Sequence, residues 1–127
     1  MTLRLLIVDD NERFLEAARS TLQGDGIEIV GTATTAADAV RQAGELVPDV
    51  VLVDINLGHE SGFDLTRRLA EMEDQQSQVL LVSTRDEQEF EDLIKASPAV
   101  GFLSKTELSA TRIQKLLSAG GGQRDSR

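Results

Sequence analysis

Residues 50–57 read Val50-Val51-Leu52-Val53-Asp54-Ile55-Asn56-Leu57. Four successive apolar residues, mostly β-branched, describe a strand covered on both faces rather than one with a wet side. The run ends on a carboxylate, a group that is costly to desolvate unless something pairs with it. Asp54 therefore either caps the next loop or is held at a sheet edge to do chemistry.

The same signature recurs on either side. Leu3–Val8, the segment Glu28–Gly31, Val79–Val82 and Val100–Leu103 are further strand candidates. Between them apolar residues take helical spacing: Phe14, Leu15, Ala18 and Leu22; Ala36, Ala37, Val40 and Ala43; Leu65, Leu69 and Met72; Phe90, Leu93 and Ile94; Ile113, Leu116 and Leu117. Asn11 and Ser109 are suited to N-caps, Gly24 and Gly26 stop the first helix, and Pro48 precedes the third strand. Strictly alternating strands and one-sided helices predict an α/β domain, doubly wound, with a five-stranded parallel sheet and five helices. The pattern leaves the strand order open between flavodoxin-like and Rossmann-like arrangements. A domain over residues 1–118 is expected, followed by a flexible tail or linker stub over 119–127, where three glycines stand together and no apolar residue follows Ala119.

The bulk numbers remove several classes of function. The chain has 127 residues, enough for one domain with a real core, and no cysteine, which excludes disulfides, thiolate metal sites and cysteine nucleophiles. Its formal net charge of -9 opposes phosphate backbones, and four Phe with no Trp or Tyr offer little for base stacking, so direct nucleic-acid binding by this chain is not expected. The N-terminus reads as neither a signal peptide nor a membrane span, and a cytoplasmic protein without membrane contact is expected.

In a doubly wound sheet, ligands bind beyond the carboxyl ends of the strands. There the sequence puts Asp9 and Asp10, then Asp54, then Ser83 and Thr84, then Ser104 and Lys105. Singly, each has an ordinary explanation, because Asp and Ser also cap helices and a lysine is commonly solvated. Together they are a chemical set, since carboxylates sharing a rim oppose one another's ionisation unless a cation joins them. Mg²⁺ suits that set, with Asp10 and Asp54 as ligands and Asp9 near the ion. Lys105 and Ser83 can then meet the oxygens of a phosphoryl group transferred in line to Asp54 as nucleophile.

With these residues placed, LLIVDDN, VVLVDINL, VLLVST and VGFLSKT, in this order, closely resemble the receiver domains of bacterial response regulators over residues 3–118. The resemblance implies the flavodoxin-like strand order 2-1-3-4-5. It implies that Asp54 accepts a phosphoryl group from a sensor histidine kinase, with Mg²⁺ held by Asp9, Asp10, Asp54 and the backbone carbonyl of Asn56. It implies phosphoryl contacts for Ser83 and Lys105, a switch formed by Ser83 and Phe102, and tuning of dephosphorylation by Asn56 and Arg85. The implied output is a changed surface of helix four, strand five and helix five, read by a downstream protein or an attached effector domain, with dimerisation on phosphorylation by analogy.

Three positions depart from the family pattern. Thr106 follows Lys105 where many relatives have proline, which disfavours a cis peptide there. Gly58 stands where proline is usual, predicting a looser loop through Gly62, and Phe102 lacks a tyrosine hydroxyl. His59, the lone histidine, is expected to be a solvated loop residue. The same residues bear on other functions. The receiver half of a DNA-binding transcription factor would need an effector domain beyond residue 127. A haloacid-dehalogenase-type phosphatase would need an acid where Asn56 stands, and a receiver that is never phosphorylated would lack an acid or the lysine. Self-phosphorylation and autodephosphorylation are the only catalysis expected, without turnover of a separate substrate.

Overall fold

The computed structural model describes residues 2–24, 26–72, 77–85 and 87–125. The main elements are β1 (Leu3–Val8), α1 (Glu12–Leu22), β2 (Ile27–Ala33), α2 (Ala36–Leu46), β3 (Val50–Asp54), α3 (Gly62–Ala70), β4 (Gln78–Ser83), α4 (Glu91–Ala96), β5 (Gly101–Ser104) and α5 (Ala110–Asp125). The strands form one five-stranded parallel sheet in the order β2-β1-β3-β4-β5, the flavodoxin-like topology.

Burial follows from strand alternation. Leu6, Val8, Val51, Val53, Val79 and Leu81 face one hydrophobic layer with Ala36, Ala39 and Ala43 of α2 and Leu65 and Leu69 of α3. Leu5, Ile7, Val50, Leu52, Leu80 and Val82 face the other, with Leu15, Ala18 and Leu22 of α1 and Ile113 of α5. Successive strand residues point to opposite faces, so a sheet covered on both sides needs an unbroken apolar run. Asn11 caps α1 through its side-chain oxygen, as expected, and Ser61 and Thr35 cap α3 and α2 in the same way.

Several details differ from the sequence reading. The Gly58 loop is not loose: Asn56–Leu57 and Glu60–Ser61 pair as a short antiparallel hairpin around Gly58 and His59. Gly58 has φ +64°, the positive value that the first turn position of a primed hairpin turn requires, and glycine adopts it without strain. The fourth helix is only six residues long, entered through a 3₁₀ turn over Glu87–Phe90, and Leu93 on it is 54 % exposed rather than in the core. Helix α5 spans Ala110–Asp125, and residues 126–127 lie outside the described residues. Among the described residues no peptide bond is cis, so Lys105–Thr106 is trans, and no helix is long and apolar enough to cross a membrane.

One backbone position stands out. Val47 closes α2 in the left-handed region, φ 45° and ψ 63°, directly before Pro48, where a β-branched residue is strained by its own Cβ and by the proline ring. Its carbonyl accepts a hydrogen bond from Arg4 Nη1 at 2.8 Å, which holds the turn against β1. Val47 is half exposed, so its side chain returns little burial. Val47→Asn, which tolerates this conformation, is expected to stabilise the fold by about 1 kcal/mol; a denaturant midpoint equal to or below wild type would show the turn to be unstrained.

Candidate functional site

The parallel register brings the predicted residues to one edge. Val8 pairs with Val53, Asp54 with Val82 and Ser83 with Ser104, so Asp9 just after β1, Asp54 at the end of β3 and Lys105 just after β5 come to the same sheet edge. Asp9, Asp10, Asn56, Ser83, Arg85 and Lys105 line one open cleft of about 780 Å³ with Asp54. Asp9, Asp54 and Ser83 are buried, Asp10 is exposed, and the Lys105 side chain is 12 % exposed.

The Asp9 and Asp54 carboxylates are each held by the chain that follows them. Asn11 N–H donates to Asp9 Oδ1 at 2.8 Å, and Asn56 N–H donates to Asp54 Oδ1 at 3.1 Å. These Asx-type contacts turn the backbone sharply at the strand end while fixing the side chain. The Gly62 N–H donates to the Ile55 carbonyl at 2.8 Å, and a Cβ at Gly62 would lie 2.2 Å from the Asp54 carbonyl oxygen, so only glycine lets α3 start this close to β3. On the other side of the hairpin, Gly58 packs beside Asp10, where a Cβ would come 3.1 Å from Asp10 Oδ2.

Lys105 supplies the resident positive charge. Its Nζ donates to Asp54 Oδ2 at 3.1 Å and sits 2.5 Å from Asp9 Oδ2. The Asp9 contact is an ion pair to a carboxylate oxygen that is fully buried. The ammonium also lies 4.3 Å from the centroid of the Phe14 ring. Burial raises the Asp54 carboxyl above its ordinary value, with the Asp9 charge adding to the rise while the Asn56 N–H and Lys105 oppose it. Burial pulls the Lys105 ammonium down, but the Asp9 and Asp54 carboxylates outweigh it and leave the group raised.

Asp9, Asp10 and Asp54 each offer a carboxylate oxygen, all within 4.8 Å of one another. An all-oxygen set of three carboxylates met by one lysine ammonium fits a hard divalent cation such as Mg²⁺. Ser83 Oγ accepts the Arg85 N–H at 3.0 Å, which leaves its O–H to donate into the cleft.

Not every predicted residue gathers here. Phe102 pairs with Leu81, half-buried on β5 against the layer that contains Phe63, and is not among the residues lining the cleft. The Arg85 guanidinium is exposed and pairs with Glu89 at 3.3 Å. His59 is exposed at the hairpin turn, as expected. Phe14, Phe63, Phe90 and Glu60 are further site neighbours, none of which stands at the end of a strand of the five-stranded sheet. Phe14 had a legible signal, four residues past Asp10 on α1, but its helical spacing also fits a core residue.

Residues 5–118 match the family model of the response regulator receiver domain. The chain belongs to that family. Among curated relatives, it is 29 % identical to the response regulator GacA of Pseudomonas viridiflava over 96 % of this chain and 57 % of the relative. It is 30 % identical to protein-glutamate methylesterase/protein-glutamine glutaminase 1 of Pseudomonas fluorescens over 98 % of this chain and 40 % of that protein. The receiver domain thus spans roughly half the length of the curated relatives it matches. Among solved structures, the signal receiver domain of the putative response regulator NarL from Mycobacterium tuberculosis superposes with a TM-score of 0.80 at 26 % identity, covering 95 % of this chain and 98 % of that one. A CheY-like receiver domain protein from Methanospirillum hungatei shares the fold, with a TM-score of 0.75 at 20 % identity over the whole of both chains. Receiver domains generally bind Mg²⁺ at an acidic pocket, which here is the Asp9, Asp10 and Asp54 group.

The raised Asp54 carboxyl makes a pH-dependent prediction for the metal-free receiver domain. A carboxyl whose folded value exceeds its unfolded one favours the fold at low pH, and that contribution is lost as pH rises through the folded value. Asp54→Asn removes the penalty, so in chelator it is expected to melt roughly 2–6 °C above wild type at neutral pH, with the gap closing toward about pH 4. Mg²⁺ should narrow the gap by stabilising wild type, by about 2.7 kcal/mol at a hundredfold excess over its dissociation constant. Melting curves with and without the ion test this, and a less stable Asp54→Asn in chelator would mean that Lys105 fully neutralises the site.

Proposed function

We propose that this receiver domain is a phosphorylation-controlled switch of a two-component system, with Asp54 as the phosphoacceptor and a sensor histidine kinase as donor. The observation that carries the reading is the Asp54 carboxylate held between a backbone N–H and the Lys105 ammonium, in an open cleft beside two further acids. An Asp54 carboxylate oxygen attacks phosphorus, the bond from phosphorus to the donor imidazole nitrogen breaks, and the imidazole leaves with that electron pair. Asp9, Asp10, Asp54 and the Asn56 backbone carbonyl would hold Mg²⁺, which when bound offsets the charge shared by the carboxylates and the phosphoryl oxygens. Lys105 and the Ser83 O–H donate to those oxygens.

Dephosphorylation is governed by what reaches the acyl phosphate. Asn56 lines the cleft where an acid would promote turnover, and an amide cannot serve as general base, which supports a switch over a phosphatase. Arg85 stands two residues past Ser83 at the cleft margin, in a position to limit water access.

The output follows from the Ser83 hydroxyl. Its present contact is the Arg85 N–H that opens the segment leading to α4. A phosphoryl group that draws Ser83 toward Asp54 pulls on this segment, and Phe102 on β5 can repack as it moves. The α4, β5 and α5 face, where Leu93 is already exposed, is then the surface read by a downstream protein or an attached effector domain.

Wild-type protein with Mg²⁺ and a small phosphodonor should gain one hydroxylamine-labile phosphoryl group by mass spectrometry, and Asp54→Asn none. Ser83→Ala is expected to slow labelling roughly ten- to a hundredfold. Label retained by Asp54→Asn, or wild type that stays unlabelled, would overturn the assignment of Asp54.

A further inference from the structure

We propose that Phe14 is a positioning residue for transfer to Asp54, its ring forming the seat that keeps the Lys105 ammonium at the cleft. The proposal rests on the phosphoacceptor reading above. A lysine stem has four rotatable carbons and a compact charge, so its ammonium stays in one place only where several contacts hold it. Two of the contacts here are the Asp9 and Asp54 carboxylates, and the third is the face of Phe14, 4.3 Å away at its centroid. A ring face attracts a cation most where water is largely excluded, and the Lys105 side chain is 12 % exposed.

The ring differs from the carboxylates in one respect that matters for the reaction. Both acids belong to the proposed metal site, and Asp54 is consumed as the nucleophile, so neither is a constant anchor for the ammonium. The ring takes part in neither event. It is also built into the same strand exit: Asn11 N–H donates to Asp9 Oδ1, and the Asn11 side-chain oxygen accepts the Phe14 N–H at 3.3 Å. The six residues from Asp9 to Phe14 thus fix a carboxylate and the lysine seat together.

The alternative role for Phe14 is apolar packing, since it also lies against the α1 side of the core. Leucine preserves that packing without a π-face, whereas tyrosine and tryptophan keep the face. Lysine spectra are simple here because Lys95, Lys105 and Lys115 are the lysines of the chain. In metal-free protein carrying ¹³C-lysine, the Lys105 ε-methylene signal, assigned with Lys105→Arg, should lie upfield of the other two through the ring current, and Phe14→Leu should return it to them. With Mg²⁺ and a small phosphodonor, Phe14→Leu should be labelled about five- to tenfold more slowly than wild type, and Phe14→Tyr and Phe14→Trp within about twofold of it. An unshifted Lys105 signal in wild type, Phe14→Leu labelled as fast as wild type, or aromatic variants as slow as Phe14→Leu would each overturn the role of Phe14 alone. Wild type that accepts no phosphoryl group would overturn the reading of Asp54 and this one with it, even where the ring-current shift is present.

Discussion

Carboxylates that repel one another are held together at the end of this sheet, and the surrounding structure is organised around that cost. Asp9, Asp10 and Asp54 bring oxygens within 4.8 Å of one another, and two of the three side chains are buried. Free in solution, such groups would separate or take up a proton. They stay because each sits at a strand exit whose position the apolar core fixes, and because Lys105 reaches two of them with one ammonium. One monovalent cation among three acids leaves a charge deficit, and that deficit is the physical basis of the site's fit to a divalent ion.

Holding this arrangement requires a stiff frame on at least one side of the cleft. The hairpin after β3 is tied inward by the Gly62 N–H to the Ile55 carbonyl and outward by Glu60 Oε1, which accepts the Ala36 N–H at the start of α2. A carboxylate at a helix N-terminus is favoured both by the hydrogen bond and by the helix dipole. The segment after Asp54 is therefore anchored to two helices, in keeping with a loop that supports chemistry rather than one that moves in response to it.

The opposite wall is built differently. Ser83 is buried, but the chain beyond it passes through an exposed Arg85, a 3₁₀ turn and a helix of six residues without a buried side chain. Phe90 reaches back toward Phe63 with ring centroids 6.2 Å apart, one of the few apolar ties of this segment to the core. Segments with few buried contacts lie at the low-stability end of a fold and rearrange at small cost. The rigid hairpin wall and the loosely anchored α4 wall give the cleft one fixed side and one responsive side.

Fold class and most of the site were legible in the sequence because both depend on local rules. Unbroken runs such as Val50–Val53 identify buried parallel strands, helical spacing identifies the covering layers, and polar residues directly after those runs fall at the carboxyl edge of any doubly wound sheet. Asp9, Asp10, Asp54, Ser83 and Lys105 could be named on that basis. Strand order required the family resemblance, since pairing is a long-range choice that leaves no trace in the pattern of a single strand. Contacts between residues distant in the chain were decided only by the tertiary structure. The Phe14 ring meets Lys105 across ninety-one positions of sequence, the Gly58 turn closes on Asp10, and Leu93 faces solvent despite its helical spacing. A side chain's periodicity fixes which face of its element it occupies, but what that face meets depends on how all the elements pack together.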